Sequence, residues 1–298
     1  MKINRSRSAR SVVLDGYKPL RHSFGVIHNN SIVHDVEWHQ HSEYELLYME
    51  IAYGTFLVGD HLFSFNDHKK TDLLLFFGKH LPHSFHYRNQ IKSLPDKVNV
   101  YSLVFTDDCL GQSFFHLPEL NRIRSFLESS ARGYIIDHDP KKEITSALKA
   151  LHGKEGIERL QLFLEILKRL EANKHLTPIS ESPTSAENSG FSQDRIHKIL
   201  KFLYSNYNRD LKVSEVADIA RMSPQSFRLY FKKTTGQNFL RFLNQLRISK
   251  VCEDLLVNED DITTIAFRNG FNNLSNFNRR FKQIKKMTPK AYKELSRN

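Results

Sequence analysis

Two stretches, MSPQSFRLYFKKTTG at residues 222–236 and FNNLSNFNRRFKQIKK at residues 271–286, decide the reading of this 298-residue chain. They are two versions of one pattern. At an offset of fifty, Phe227 falls on Phe277, Phe231 on Phe281 and Lys232 on Lys282. Just upstream the offset is forty-nine: Val213 falls on Ile262, Val216 on Ile265, Ala217 on Ala266 and Met222 on Phe271. The second copy therefore carries one extra residue, in the turn Gly270-Phe271-Asn272-Asn273. Each copy reads as a short apolar-periodic helix, a tight turn and a second amphipathic helix, which is the pattern of a helix-turn-helix.

Turn chemistry supports the same division. Ser223-Pro224 offers an N-cap followed by proline at the first helical position, where the missing N–H costs nothing. Asn272 and Asn273 are caps for the copy, and Gly270 suits a turn position with positive φ. Phe227, Tyr230 and Phe231 share one helix face, leaving Gln225, Ser226, Arg228, Lys232 and Lys233 outside. In the copy, Leu274, Phe277, Phe281 and Ile284 form the inward stripe, and Ser275, Asn276, Arg279, Arg280 and Lys282 belong to the outward set. Such outward residues supply the donors that read purine edges and hold phosphates. A single such helix would more readily be a solvated basic face; the duplication favours the reading of DNA.

From F-K-K-x-T-G after the first such helix, R-I-x-K between the two units, I-A-x-x-x-G-F and the closing T-P-x-x-Y, residues 193–295 resemble the DNA-binding domain of the AraC/XylS family of bacterial transcription regulators. Two departures lie in the second unit: Lys285-Lys286 stands where Thr-Gly is common, and Phe267-Arg268-Asn269 replaces acidic residues. The resemblance implies a double-stranded-DNA partner, a small-molecule effector, a homodimer and, for an activator, contact with RNA polymerase.

Charge agrees with this division. Residues 191–298 hold 21 Lys and Arg against 10 Asp and Glu, so the whole net charge of +11 lies there and residues 1–190 are balanced. A polyanion is the expected partner of the basic part, rather than a membrane. The two cysteines, Cys109 and Cys252, form no CxxC, which argues against a disulfide framework or thiolate zinc site and fits a reducing cytoplasm. No apolar run is long enough to span a bilayer, and Arg5, Arg7 and Arg10 are not followed by a signal-peptide core.

Short apolar or alternating runs recur through residues 11–105: Val12–Leu14, Gly25–Ile27, Tyr44–Ile51, Thr55–Val58, Leu62–Phe65, Leu73–Phe77 and Val98–Phe105. Turn residues such as Gly54, Gly59-Asp60 and Asn66-Asp67 separate many of them, which predicts a β sandwich or barrel. The order H-x-H-x-x-x-E at His39, His41 and Glu45, followed by Pro82-His83, resembles the cupin jelly roll carried by many AraC-type regulators. Three roles remain open for His39, His41, Glu45 and His83. They line a metal-free effector pocket for a sugar or other metabolite, hold Fe, Mn, Ni or Zn as a His₃-carboxylate set, or cap strand ends. The first is the working expectation, with no cofactor.

Helices are expected at Phe114–Ser130, Lys141–Ala150 and Lys154–Ala172. The last has a wide stripe of Ile157, Leu160, Leu164, Leu167 and Leu170 beside Phe163. One side of it would cover the barrel; the resemblance implies that the other pairs with the same helix of a second chain in an antiparallel coil, with an intramolecular core helix as the equal alternative. Residues 175–190 are rich in Ser, Thr and Pro and read as a linker. A helix at Asp194–Ser205 opens the next domain, and Asn238–Val257 joins the two units as a spacer of roughly 27 Å, against ~34 Å between successive major grooves.

The expected protein is thus α+β with two domains: residues 1–174 a cupin-like effector and dimerisation domain, 175–190 a linker, and 191–298 a double helix-turn-helix. Bases fall to Gln225, Ser226 and Arg228 in the first unit and Ser275, Asn276 and Arg279 in the second. Phosphates fall to Arg228, Lys232, Lys233, Arg280 and Lys282. It is expected to act as a cytoplasmic regulator rather than an enzyme. The rival class is a metal-dependent cupin oxygenase or isomerase fused to a nucleic-acid-binding module.

Overall fold

The computed structural model describes residues 22–32, 35–50, 54–65, 72–87, 97–137, 139–180, 193–257 and 259–295. The expected strand at Val12–Leu14 and most of the expected linker fall outside these residues.

Among the described residues, ten strands build two antiparallel sheets. They are β1 (Gly25–Ile32), β2 (Val36–His39), β3 (Tyr44–Met49), β4 (Gly54–Val58), β5 (His61–Phe65), β6 (Leu73–Phe77), β7 (His83–Tyr87), β8 (Lys97–Phe105), β9 (Tyr134–Ile136) and β10 (Leu176–Pro178). One sheet has the order β1-β8-β3-β6-β9-β10 and the other β2-β7-β4-β5. The first eight strands interleave as 1-8-3-6 over 2-7-4-5, the winding of a jelly roll. β3, β4 and β6 are buried along their whole length, which is why they read as continuous apolar runs rather than alternating ones. Leu176–Pro178, which composition assigns to a linker, instead pair with β9 as an edge strand, and Ile179 and Ser180 behind them are buried.

Helices α1 (Asn121–Ser129), α2 (Asp139–Leu151) and α3 (Gly156–Ala172) cover the first sheet. The single helix expected over Phe114–Ser130 is broken. Two 3₁₀ turns, Phe114–His116 and Pro118–Leu120, precede α1, because a proline there interrupts the backbone ladder. Phe163, Ile166, Leu167 and Leu170 of α3 are buried within the chain's own core, and Leu160 and Leu164 pack against it. Ile157 alone of the expected stripe is fully outside, at 67% exposure. The stripe is therefore used for intramolecular packing.

The helical part comprises α4 (Gln193–Asn206), α5 (Val213–Ile219), α6 (Pro224–Thr235), α7 (Phe239–Val257), α8 (Ile262–Arg268), α9 (Leu274–Lys285) and α10 (Pro289–Leu295). It holds two cores. One gathers Ile196, Leu203, Phe227, Phe231, Phe242 and Leu246 around the first unit, and the other gathers Ile248, Ile265, Phe271, Phe277, Phe281 and Tyr292 around the second. α7 contributes to both, its first half to one and its second half to the other.

The first of these cores also contains Trp38, Leu57 and Leu62 of the second sheet. Polar contacts reinforce this junction. Thr55 Oγ1 donates to Glu253 Oε1 at 3.2 Å and lies 3.0 Å from Ser249 Oγ. His197 pairs with Glu37 at 3.0 Å. Gly236 closes α6 at φ 69°, and a Cβ there would collide with Asp60 in the β4–β5 turn.

Candidate nucleic-acid interface and histidine cluster

Helices α6 and α9 begin in the same way. Ser223 Oγ accepts from the Ser226 amide at 3.2 Å, and Asn273 Oδ1 accepts from the Asn276 amide at 2.9 Å. Each cap satisfies one of the otherwise orphaned N-terminal amides and fixes where the exposed first turn begins. The helices also end alike, with Gly236 and Lys286 both left-handed, at φ 69° and 59°. The departure Lys285-Lys286 thus keeps the backbone geometry while losing the residue type that adopts it at least cost.

Within the second unit, Gly270 stands in the turn between α8 and α9 at φ 86°. A Cβ there would press on the Tyr207 carbonyl and on Arg247 Nε, 2.8 and 2.9 Å away. Arg247 donates to the carbonyls of Tyr207 and Arg209, each at 2.8 Å, so this close approach links the turn of the second unit to the first.

Gln225, Ser226, Arg228, Lys232 and Lys233 are exposed on α6, and Ser275, Asn276, Arg279 and Lys282 are exposed on α9. Arg279 Nη2 donates to Asn276 Oδ1 at 3.0 Å, which orients the guanidinium across the first turns of α9. Arg280 is placed differently from the outward position expected of it. It is half-buried, donates to Gln283 Oε1 at 3.1 Å and turns towards α7 rather than outward with Arg279. Leu229, which helical periodicity did not single out, stands on the exposed face of α6.

His39, His41, Glu45 and His83 come together between the two sheets. His39 and His83 face each other across the β2–β7 pair, while Glu45 projects from β3 in the opposite sheet. The rings of His39 and His83 are 4.2 Å apart, and those of His41 and His83 5.3 Å. Glu45 Oε2 lies 3.1 Å from His41 Nε2 and 3.6 Å from His83 Nε2, and Ser102 Oγ donates to Glu45 Oε1 at 2.5 Å. Phe77 stacks on His83 at 4.4 Å. The four side chains pack on one another.

Each imidazole is held through its Nδ1. His39 reaches the Glu37 carbonyl at 2.8 Å, His41 the Glu43 carbonyl at 3.1 Å and His83 the Leu81 carbonyl at 2.8 Å. An Nδ1–H donated to a carbonyl leaves Nε2 as the atom presented to the cluster, the arrangement found around metal-bound imidazoles. One nitrogen from each of the three rings lies within 4.8 Å of the other two. Burial, aided by His83, lowers the His39 pKa to about 3. Burial also opposes charge on His41, but Glu45 outweighs it and the His41 pKa rises. Burial likewise disfavours the Glu45 carboxylate, yet the hydrogen bond from His41, with His83 beside it, holds its pKa well below the usual range. A cation bound among the three rings would take the place of the charge that Glu45 favours on His41.

Residues 216–295 match a family described as a helix-turn-helix domain. This segment is a helix-turn-helix domain. An uncharacterised helix-turn-helix transcriptional regulator of Staphylococcus aureus is 31% identical over 102 residues, 34% of this chain and 14% of that protein. The transcriptional activator RhaS of Pectobacterium carotovorum is 28% identical over 130 residues, 44% of this chain and 43% of its own. The chain thus spans only a small part of the length of the staphylococcal relatives. Among solved structures, ToxT from Vibrio cholerae O395 is 15% identical over 92% of this chain and 98% of its own, with a TM-score of 0.36. Among the described residues no helix is long and apolar enough to cross a membrane.

Proposed function

We propose that the protein is a transcription regulator that reads double-stranded DNA with α6 and α9 and senses a small molecule through its β domain. The observation that carries this reading is the repeat itself: two capped helices, each with polar side chains exposed over its first turns, joined by one 19-residue helix, α7. At ~1.5 Å per residue α7 is roughly 28 Å long, the scale needed to serve neighbouring turns of a duplex. Gln225, Ser226 and Arg228 read one half-site, and Ser275, Asn276 and Arg279 the other. Gln and Asn suit adenine, and Arg suits guanine. Lys232, Lys233 and Lys282 hold phosphates and make binding salt-dependent.

Selection of the full-length chain on random duplex DNA tests this. The expected result is a motif of two half-sites with centres about 10–10.5 base pairs apart. Equal binding to every duplex would overturn it.

A second reading concerns the histidine cluster. The three carbonyl-locked imidazoles favour a divalent transition ion held by His39, His41 and His83 with Glu45, over an open pocket lined by the same residues. Such an ion would supply a sensed ligand or a structural tie between the sheets. The comparisons lend no support to an enzyme built on these residues.

A further inference from the structure

The two reading helices differ where they stand furthest from their cores. Leu229 lies midway between Phe227 and Phe231, and Arg279 lies midway between Phe277 and Phe281, all four rings being fully buried. Two residues turn an α-helix through about 200°, so Leu229 on α6 and Arg279 on α9 both point away from the packed side. They also lie equally far along from the matched caps, Ser223 and Asn273. Leu229 is 68% exposed and packs in neither helical core. One turn away on its own face are Gln225, Ser226, Lys232 and Lys233, all exposed. Among the described residues it is the only large apolar side chain exposed on α6, so that helix offers no patch of the size that seats a protein.

A lone apolar side chain at the centre of a polar, cationic face calls for a partner that is itself polar and anionic but carries one apolar group. In the major groove of DNA that group is the C5-methyl of thymine, which no other unmodified base carries. The matching position in the copy is an arginine, whose preferred base is guanine. We propose that Leu229 packs against a thymine methyl, so that the half-site under α6 requires an A·T pair at the place where Arg279 makes the half-site under α9 require G·C. The assignment deepens the DNA-reading proposal and rests on it. Its consequence is a target whose two halves are unlike at corresponding positions, which fixes the direction in which the protein lies on the duplex.

The test uses the full chain and the duplex it selects from random DNA. Arg279→Ala marks the half-site under α9, and thymines of the other half-site are then replaced one at a time by deoxyuridine. This exchange removes the methyl group and leaves the hydrogen-bonding edge of the base unchanged. Anisotropy titrations at one salt concentration should find one position at which the exchange weakens binding about fourfold, the worth of burying one methyl-sized group. Leu229→Ala should bind the selected duplex more weakly than the parent and should no longer distinguish thymine from deoxyuridine at that position. Its melting temperature should match the parent's, because Leu229 lies outside both cores. Three results would overturn the assignment: a half-site under α6 with no preferred A·T pair, no thymine there sensitive to loss of its methyl, or the same sensitivity in Leu229→Ala as in the parent. Each of these leaves the selected target standing and removes Leu229 alone. Equal binding of the parent to every duplex would instead bring down the DNA-reading proposal and this assignment with it.

Discussion

Replacing Phe281 with alanine should dismantle one reading unit and spare the other. Phe281 is fully buried in the second helical core, edge-on to Phe277 at 5.7 Å and to Tyr292 at 5.6 Å. Burial of such a ring contributes about 1.5–3 kcal/mol, and each aromatic pair adds about 0.5–1.5 kcal/mol. Together these agree with the roughly 3–5 kcal/mol usually lost on Phe→Ala in a core. At ~0.05–0.15 kcal/mol per residue, the segment from α8 to α10 holds only about 2–5 kcal/mol of stability. The substitution removes most of it. The first core shares no residue with the second, so its protection should persist. Segment-resolved hydrogen exchange should show amides of α8–α10 exchanging about a hundredfold faster or more, with α5 and α6 little changed. Nuclease footprints on a selected site should shrink to one half-site. Equal loss of protection in both units, or a full-length footprint, would refute the reasoning that the units are separate cores.

Arg279→Ala should cost roughly 1–3 kcal/mol on the preferred duplex and relax the choice at one base pair; anisotropy titrations on single-substituted duplexes check it, and uniform weakening would make Arg279 a phosphate contact. The pH dependence of stability should carry the His39 signature. Its folded pKa of about 3 lies below the ordinary 6.5, so the unfolded chain takes up the proton first. Its contribution is complete above ~6.5 and falls by about 1.4 kcal/mol per unit as pH drops from there towards 3. Urea unfolding at pH 7.5 and 5.5 should show the parent losing about 1.4 kcal/mol more than His39→Gln; equal losses would contradict the assignment. Chelator-treated protein given one equivalent of zinc or nickel should melt several degrees higher, and His41→Gln should remove most of that rise. No shift in the parent, or the same shift in the variant, would remove the metal reading.

The repeat was legible because it needs only the positions of buried aromatics, and Phe227, Phe231, Phe277 and Phe281 are all fully enclosed. Leu73–Phe77 was legible because a strand buried on both faces has an unbroken apolar run. Val36–His39 and His83–Tyr87 were not, because they carry the polar residues of the cluster where strand patterning asks for apolar ones. Spacing singled out His39, His41, Glu45 and His83, but not their close packing or the three carbonyl locks, which depend on the backbone path two residues to one side of each ring. Leu176–Pro178 escaped notice since an edge strand at the end of a sheet needs few large side chains. Arg280 had a signal that went unused: its match in the first copy is Tyr230, which is buried. The contacts of Thr55 with Ser249 and Glu253 join residues nearly two hundred positions apart, and no local pattern announces them.

Because Trp38, Leu57 and Leu62 complete the hydrophobic interior of the first reading unit, the boundary suggested by composition does not coincide with a boundary in packing. Cutting the chain near residue 190 would strip those three side chains from Ile196, Leu203 and Phe231 and leave greasy surface on both fragments. A severed reader would then be a different object from the intact one, prone to self-association. Its affinities would describe the wound as much as the protein.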